Sequence, residues 1–466
     1  MAVDEPFGAE VASHRPPRVE VPGRHVSSGS PAPTRRSARL QGHLAVPLFR
    51  NAYALMAATA LTSGLGLVYW GVGARHYSEV DVGRGGAVIA ALMLVGGATQ
   101  LNLTNILPRF LPEHGAESRR LVLAAYGASS IAAIVIGGAF VSLGGVDSSL
   151  SSSGSPWPAR LAFIAAVITW NLFTIQDAVL AGIRQAVWVP LKNGIFAVAK
   201  IVLLVLLADQ MPSNGLFTSW AVPAALIAIP VEVVVFLRLL PAHAKATAHR
   251  TPPPNRDLVR YATADYLGGL FQLAAINVMP LLVAALVGLE ENAAFATAWI
   301  AASAFELALL NIGVSFTVEG ATDEEQIQRL ARSTARLSGA LSLAGVVAIV
   351  ALAPTAVSLL GEGYSGGVDV LRLLAVAMPF RAAVTVYMSL LRLRRRLVPM
   401  VVIQAAGCAI AIGLAAVLLP RQGISGAALA YAVAQFTVAV AVAPGLWREL
   451  RGTAAPGATP TVGAAP

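Results

Sequence analysis

The chain has 466 residues, of which 56% are hydrophobic and 12% charged, and its mean hydropathy is +0.69. Soluble domains carry about 25% charged residues, so a soluble globular protein is excluded. A net charge of +9 would suggest nucleic acid in a soluble chain, but here the basic residues follow a membrane topology and no nucleic-acid partner is expected.

Residues 1–46 are polar and Pro-rich and are expected to form a disordered cytoplasmic tail. No cleavable signal peptide is evident, because the first apolar run is longer than a signal core. Arg35, Arg36 and Arg39 form a basic patch that either holds the N-terminus inside or touches anionic lipid. Twelve apolar runs follow, at 47–73, 85–107, 121–143, 159–183, 188–208, 216–238, 259–287, 293–318, 337–360, 368–391, 397–419 and 424–446. Each approaches the ~20 residues that cross ~30 Å of hydrocarbon as a helix. With the N-terminus inside, and Arg50 counted with the tail, 26 of the 33 Lys and Arg residues fall on the cytoplasmic side. Only Arg75, Arg84, Arg160 and Arg421 fall outside. Adding or removing one span scrambles this alternation, so both termini are expected in the cytoplasm.

The expected fold is an all-α membrane protein of twelve transmembrane helices in two six-helix lobes, 47–238 and 259–447. A cytoplasmic linker, 239–258, carries Pro252, Pro253 and Pro254, and 448–466 is a second disordered tail. The Ser/Gly-rich loop 144–158 is expected to be flexible. Two segments align without gaps at an offset of 206: QLNLTNILPRFLPE (100–113) and ELALLNIGVSFTVE (306–319), with six identities in fourteen. A displacement of six spans gives both lobes the same orientation, related by a pseudo-two-fold along the membrane normal. Such parallel repeats suit alternating access. Gly64 and Gly66 in span 1 and Gly268 and Gly269 in span 7 lie at matching depth, as hinges or as close-packing positions. Pro223, Pro230, Pro280 and Pro379 are expected kinks. The segment 319–336 is acidic then basic and is expected to form a short helix on lipid headgroups.

Polar groups deep in a bilayer are costly and mark a cavity or a partner. Lys200, Arg381 and Arg372 are the basic candidates, and Asn102, Asn105, Gln272 and Asn277 the neutral ones. Two readings are open for Lys200 and Arg381. In one they line a cationic cavity for a phosphate-bearing headgroup. In the other Lys200, Arg381, Glu306 and Asp265 form neutral-summing ion pairs. Glu306 and Asp265 are also candidates to carry H⁺ or Na⁺ for coupling. Asn105, Arg109 and Asn311 read as ties between inner helix ends, while Asn171, Gln176, Asp177 and Glu232 are further polar groups within spans 4 and 6. No His/Cys metal cluster, phosphate loop or nucleophile elbow is present, so neither an enzyme nor a metal site is expected. The lone cysteine, Cys408, excludes an intrachain disulfide.

RNAYALMAATALTSGLGLVYWGVGARHYS (50–78), QLNLTNILPRFLP (100–112) and IQDAVLAGIRQAVWVPLKN (175–193) resemble Wzx-type flippases of polysaccharide or oligosaccharide-lipid units. These belong to the superfamily that also holds the MATE drug exporters. The resemblance covers about 48–446. It implies a multi-pass protein of the bacterial plasma membrane with a V-shaped basic cavity. The substrate it implies is an undecaprenyl-pyrophosphate-linked sugar unit, moved from the inner to the outer leaflet for cell-surface polysaccharide synthesis. The partners expected are that lipid-linked oligosaccharide, membrane lipid, and a polysaccharide polymerase or glycosyltransferases, with no cofactor besides a coupling Na⁺ or H⁺. The alternatives are a cation-coupled multidrug antiporter and a non-transporting membrane scaffold. The long N-terminal tail departs from the family.

Overall fold

The computed structural model describes residues 64–144, 157–249, 255–322, 327–394 and 396–451, with backbone alone at 255–265, 311, 314–315, 318–322 and 397. The predicted tail 1–46, residues 452–466 of the second tail, most of the 144–158 loop and residues 250–254 of the predicted linker lie outside the described residues. So do the side chains of Asp265 and Asn311. Residues 448–451 are instead the helical end of the last helix. The described residues belong to one compact unit.

The described chain is helical. A first helix, α1, covers 64–76. It is followed by α2 Glu79–Thr99, α3 Leu103–Phe110, α4 Ser118–Ser142, α5 Trp157–Gly182, α6 Trp188–Leu207 and α7 Gly215–Val234. A π turn, Val235–Leu239, leads into α8 Leu240–Ala246. Then come α9 Asn255–Leu286, α10 Leu289–Thr322, α11 Ile327–Ser358, α12 Gly367–Leu393 and α13 Leu397–Arg451. Ten described helices are long and apolar enough to cross a membrane. The last, α13, is broken at Gly423, whose φ of 59° and ψ of −148° no helix contains. Apolar side chains face outward as well as inward: Ile131 and Val135 on α4 are each 64% exposed. Such an outer surface needs lipid as its solvent.

Helices α2 to α7 pack among themselves, as do α9 to α13, and α2 crosses to α9 and α10. Call the end bearing residues 78–83 and 288–293 the top, and the end bearing 98–118 and 390–400 the bottom. At the top, α2 and α10 touch backbone to backbone. A Cβ added to Gly83 would lie 1.6 Å from the Leu289 carbonyl oxygen, and Asn292 Nδ2 donates to the Gly83 carbonyl at 2.8 Å. At the bottom, Leu273 of α9 covers Gly97.

Beside Gly97 the helix stops. Leu101 and Asn102 both adopt left-handed backbone, at φ 52° and 59°, and the chain restarts as α3. Asn tolerates this region better than most residues; Leu does not. The break leaves the Ala98 carbonyl without its helical donor, the Asn102 N–H, and the Tyr266 hydroxyl of α9 donates to it at 2.5 Å. The matching repeat segment, 306–319, runs as unbroken α10. Ala308 and Val314 stand there in place of Asn102 and Pro108, so that copy has neither the tolerant residue nor the missing donor. Replacing Tyr266 by Phe removes one hydrogen bond, worth about 0.5–1.5 kcal/mol. The expected result is up to about ten-fold faster amide hydrogen exchange across 98–106.

Two expectations are corrected. Span 6 does not end at 238; its helical path continues to Ala246, and α9 begins at Asn255. Nor does 319–336 form a separate surface helix. Its described residues end α10 and begin α11, which runs unbroken to Ser358. Arg332 Nε donates to the Leu450 carbonyl at 2.6 Å and Gln328 Nε2 to the Glu449 carbonyl at 3.3 Å. A donor-rich side of α11 thus satisfies the last carbonyls of α13, where a helix end carries negative charge.

Candidate functional site

Helix α6 turns one stripe inward. Lys192, Phe196, Lys200 and Leu204 are buried at four-residue spacing, whereas Leu191, Ile195, Val198 and Val202 face out. The two lysines on this stripe have different surroundings.

Lys200 is 6% exposed. Its Nζ lies 4.3 Å from the Trp220 ring centroid, 4.8 Å from Tyr69 and 5.4 Å from Phe196. The Tyr69 ring is fixed by its hydroxyl, which bonds the Leu216 carbonyl and Ser219 Oγ, each at 2.9 Å. Trp170 and Phe173 back the cage. No described carboxylate pairs with Lys200. The rings supply the attraction between a cation and a π-face, but they accept no strong hydrogen bond from an ammonium that can donate three.

Lys200 lines a cavity of about 360 Å³ built from both sets of helices. Trp70, Gly86 and Trp220 come from the first set, and Asn277, Trp299 and Ser303 from the second. Trp220 and Trp299 each have a buried indole N–H with no acceptor. A cation without a counter-charge beside a cavity favours an acceptor-rich, anionic guest.

Arg381 is elsewhere. Its Nε bonds Glu306 Oε1 at 2.6 Å, and Tyr431 donates to Glu306 Oε2 at 3.0 Å. These three residues, with Gln272, Gln404 and Gln435, line a separate cavity of about 40 Å³, enough for a water-sized guest. Ile276 lines both cavities. Lys200 and Arg381 therefore do not share one basic chamber: the ion-pair arrangement describes Arg381 and Glu306, and the open-cavity arrangement describes Lys200. Glu306→Ala strands the Arg381 charge, which costs about 3–5 kcal/mol in a buried setting. We expect a clear fall in melting temperature in detergent, largely recovered by adding Arg381→Met.

Of the neutral candidates, Asn277 lines the larger cavity and donates to the Leu273 carbonyl at 3.0 Å. Gln272 lines the smaller one and accepts from Gln404 at 3.2 Å. Asn102 and Asn105 lie at the bottom, bonded to each other at 2.7 Å, and line neither cavity. Arg372 sits near the start of α12 and reaches Asp369 at 3.8 Å along its own helix. Gly66 lines the larger cavity, and Gly64 opens the described part of α1. Gly268 packs on Gln404 and, with Gly269, lies inside unbroken α9. The breaks in helical backbone fall instead at Leu101–Asn102 and Gly423.

Lys192 was missed because, near the start of the run 188–208, its charge was counted with the cytoplasmic side. It is 4% exposed and bonds Asp177 Oδ1 at 2.5 Å and the Phe173 carbonyl at 2.5 Å. The four-residue spacing from Lys200 was the available signal.

No family model matches the chain, and no characterised relative matches it by sequence. Its structure, however, has solved neighbours. An inward-facing multidrug-resistance MATE family transporter of the MOP superfamily superposes with a TM-score of 0.63 at 14% identity, covering 87% of this chain and all of that one. A MOP superfamily transporter from Pyrococcus furiosus, described by the reverse polarity of its binding pocket, gives 0.59 at 13% identity over 86% and 96%. The lipid II flippase MurJ, in an inward closed conformation, gives 0.61 at 12% identity over 85% and 89%. These neighbours are transporters and a flippase, and this chain shares their fold.

Proposed function

We propose that the protein is a flippase for lipid-linked oligosaccharides, moving polyprenyl-pyrophosphate-linked sugar units from the inner to the outer leaflet of a bacterial plasma membrane. The observation that carries this reading is Lys200: a buried cation with no carboxylate partner among the described residues, facing a cavity between two sets of helices. A pyrophosphate cannot enter hydrocarbon without a replacement for its hydration. Lys200 supplies charge, and the Asn277 amide lines the same cavity beside it. The polyprenyl chain remains in lipid while the headgroup passes between the helix sets.

The architecture proposed with it is twelve crossings in two six-helix lobes, both termini cytoplasmic, so that the bottom faces the cytoplasm. The two sides of the Gly423 break count as separate crossings, and α1, described from residue 64, counts as the first. Lys and Arg gather at the bottom, as the inner side requires. Alternating access then means opening the Gly83–Leu289 seam and the Gly97–Leu273 seam in turn.

The test is transport by purified protein in liposomes. The reading predicts flipping of a fluorescent polyprenyl-pyrophosphate oligosaccharide and no export of a cationic dye. Dye export without flipping would overturn it in favour of a multidrug antiporter, whose cavity is expected to carry acids in place of Lys200.

A further inference from the structure

The seven tryptophans of the chain divide by position. Trp157, Trp188 and Trp447 stand near helix ends and are exposed, as interfacial anchors are. Trp170 lines neither of the cavities described above and packs among Phe173, Phe196 and Trp220. The remaining three, Trp70 of α1, Trp220 of α7 and Trp299 of α10, all line the Lys200 cavity. Trp220 is engaged by the lysine, whose Nζ sits over its ring. No described cation sits over Trp70 or Trp299.

Trp70 and Trp299 come from opposite helix sets, and each is held in place by other rings. Phe295 stacks on Trp299 at 5.4 Å, and Tyr431 makes a T-shaped contact with it at 5.0 Å. Tyr69 makes the same kind of contact with Trp70 at 5.6 Å. The tip of the Trp70 indole reaches Gly86 of α2: a Cβ there would lie 3.7 Å from Trp70 Cη2 and 3.1 Å from Ala296 Cβ. Gly86 thus leaves room for the ring where α1, α2 and α10 meet.

The cavity lies between the two seams. Its α2 wall, within 86–93, falls between Gly83 and Gly97, and its α10 wall, within 296–307, begins below Leu289. At about 360 Å³ it sits near the lower end of the ~300–1,000 Å³ of small-ligand sites. That volume suits a diphosphate and about one sugar ring, not a whole oligosaccharide. A pyranose has a face of C–H groups and a rim of hydroxyls. Its C–H groups are slightly positive and are drawn to the negative face of an indole. Ser303 Oγ gives its proton to the Trp299 carbonyl at 2.8 Å, which leaves its oxygen to accept from a sugar hydroxyl.

We infer that Trp70 and Trp299 form a sugar-reading wall, stacking on the first pyranose of the cargo, the ring joined to the diphosphate that Lys200 holds. This rests on the flippase reading above and adds to it where the cargo is selected: at the sugar next to the diphosphate, by both helix sets at once. Sugars farther along the chain lie outside the closed cavity and are not discriminated.

The test is equilibrium binding of two polyprenyl-pyrophosphate lipids, one bare and one carrying a single hexose on the diphosphate, to the purified full-length protein. The wild type should prefer the hexose-bearing lipid by about ten-fold. Trp70→Leu and Trp299→Leu keep apolar bulk but lose the π-face, and each should cut that preference about three-fold or more. Trp299→Phe restores a π-face and should keep most of the preference, so its contrast with Trp299→Leu reads the stacking apart from any change in melting temperature. Lys200→Ala should weaken both lipids and leave the preference in place. Equal affinity of the wild type for the two lipids, or Leu variants that keep the wild-type preference, overturns the sugar-reading wall and leaves the flippase reading standing. Leu and Phe variants that lose both lipids alike make the two tryptophans packing residues, and the inference falls. Binding of neither lipid by the wild type overturns both readings.

Discussion

Replacing Lys200 by Ala should cut flipping at least ten-fold while leaving the protein as stable as the wild type, or more so. The two halves of that expectation come from one observation. A charge-assisted hydrogen bond to phosphate is worth about 1.5–3 kcal/mol, which is a loss of roughly ten- to a hundred-fold once the cargo's main cationic contact is gone. In the protein without cargo, however, Lys200 is a desolvated charge held only by rings. Removing it relieves that desolvation, although the aromatic cage gives back part of the gain. A structural lysine behaves in the opposite way. Lys192→Ala should destabilise the protein, since it strands Asp177, from which Lys192 Nζ stands 2.5 Å. Melting temperature and flipping rate, measured together on both variants, check the contrast. A destabilised Lys200→Ala with normal flipping would place Lys200 in the scaffold.

The second large effect is expected from a single methyl group at the top seam. Gly83→Ala places a Cβ 1.6 Å from the Leu289 carbonyl oxygen and 2.6 Å from its carbon. Both are backbone atoms, so no side chain can rotate away, and the helices must separate. Overpacking of this kind costs about 1–3 kcal/mol. Because α2 and α10 belong to different helix sets, the cost falls on the closed top and not on either set alone. The expected phenotype is normal membrane insertion, longer distances between spin labels placed across the seam, and flipping reduced about ten-fold or more. Gly127, on the outer face of α4, meets nothing within 4 Å when given a Cβ, so Gly127→Ala should match the wild type in all three.

The spans were legible in the sequence because an uninterrupted apolar run of membrane length has few other uses. Lys200 was legible for the same reason, as a charge in mid-span demands an explanation. The helix break at Leu101–Asn102 was not. Asn tolerates left-handed backbone, but nothing local announces that the Leu before it will adopt it too. The capping of Ala98 by Tyr266 is a contact between residues 168 apart in sequence. The Arg381–Glu306 pair likewise joins helices 75 residues apart; depth along each span predicted that both lie mid-membrane, but not that they face each other. The aromatic cage was hidden because Tyr69, Phe196 and Trp220 come from three helices, each ring unremarkable in its own apolar stretch. Lys192 illustrates the converse error: charge near a span end was read as topology when the residue points inward.

The most direct test of the account is a structure of the protein bound to a polyprenyl-pyrophosphate lipid. The account predicts the diphosphate in the cavity between α6, α7, α9 and α10, with an oxygen about 3 Å from Lys200 Nζ and the polyprenyl chain leaving toward lipid. A diphosphate bound outside that cavity, with Lys200 still enclosed by Tyr69, Phe196 and Trp220, would contradict it.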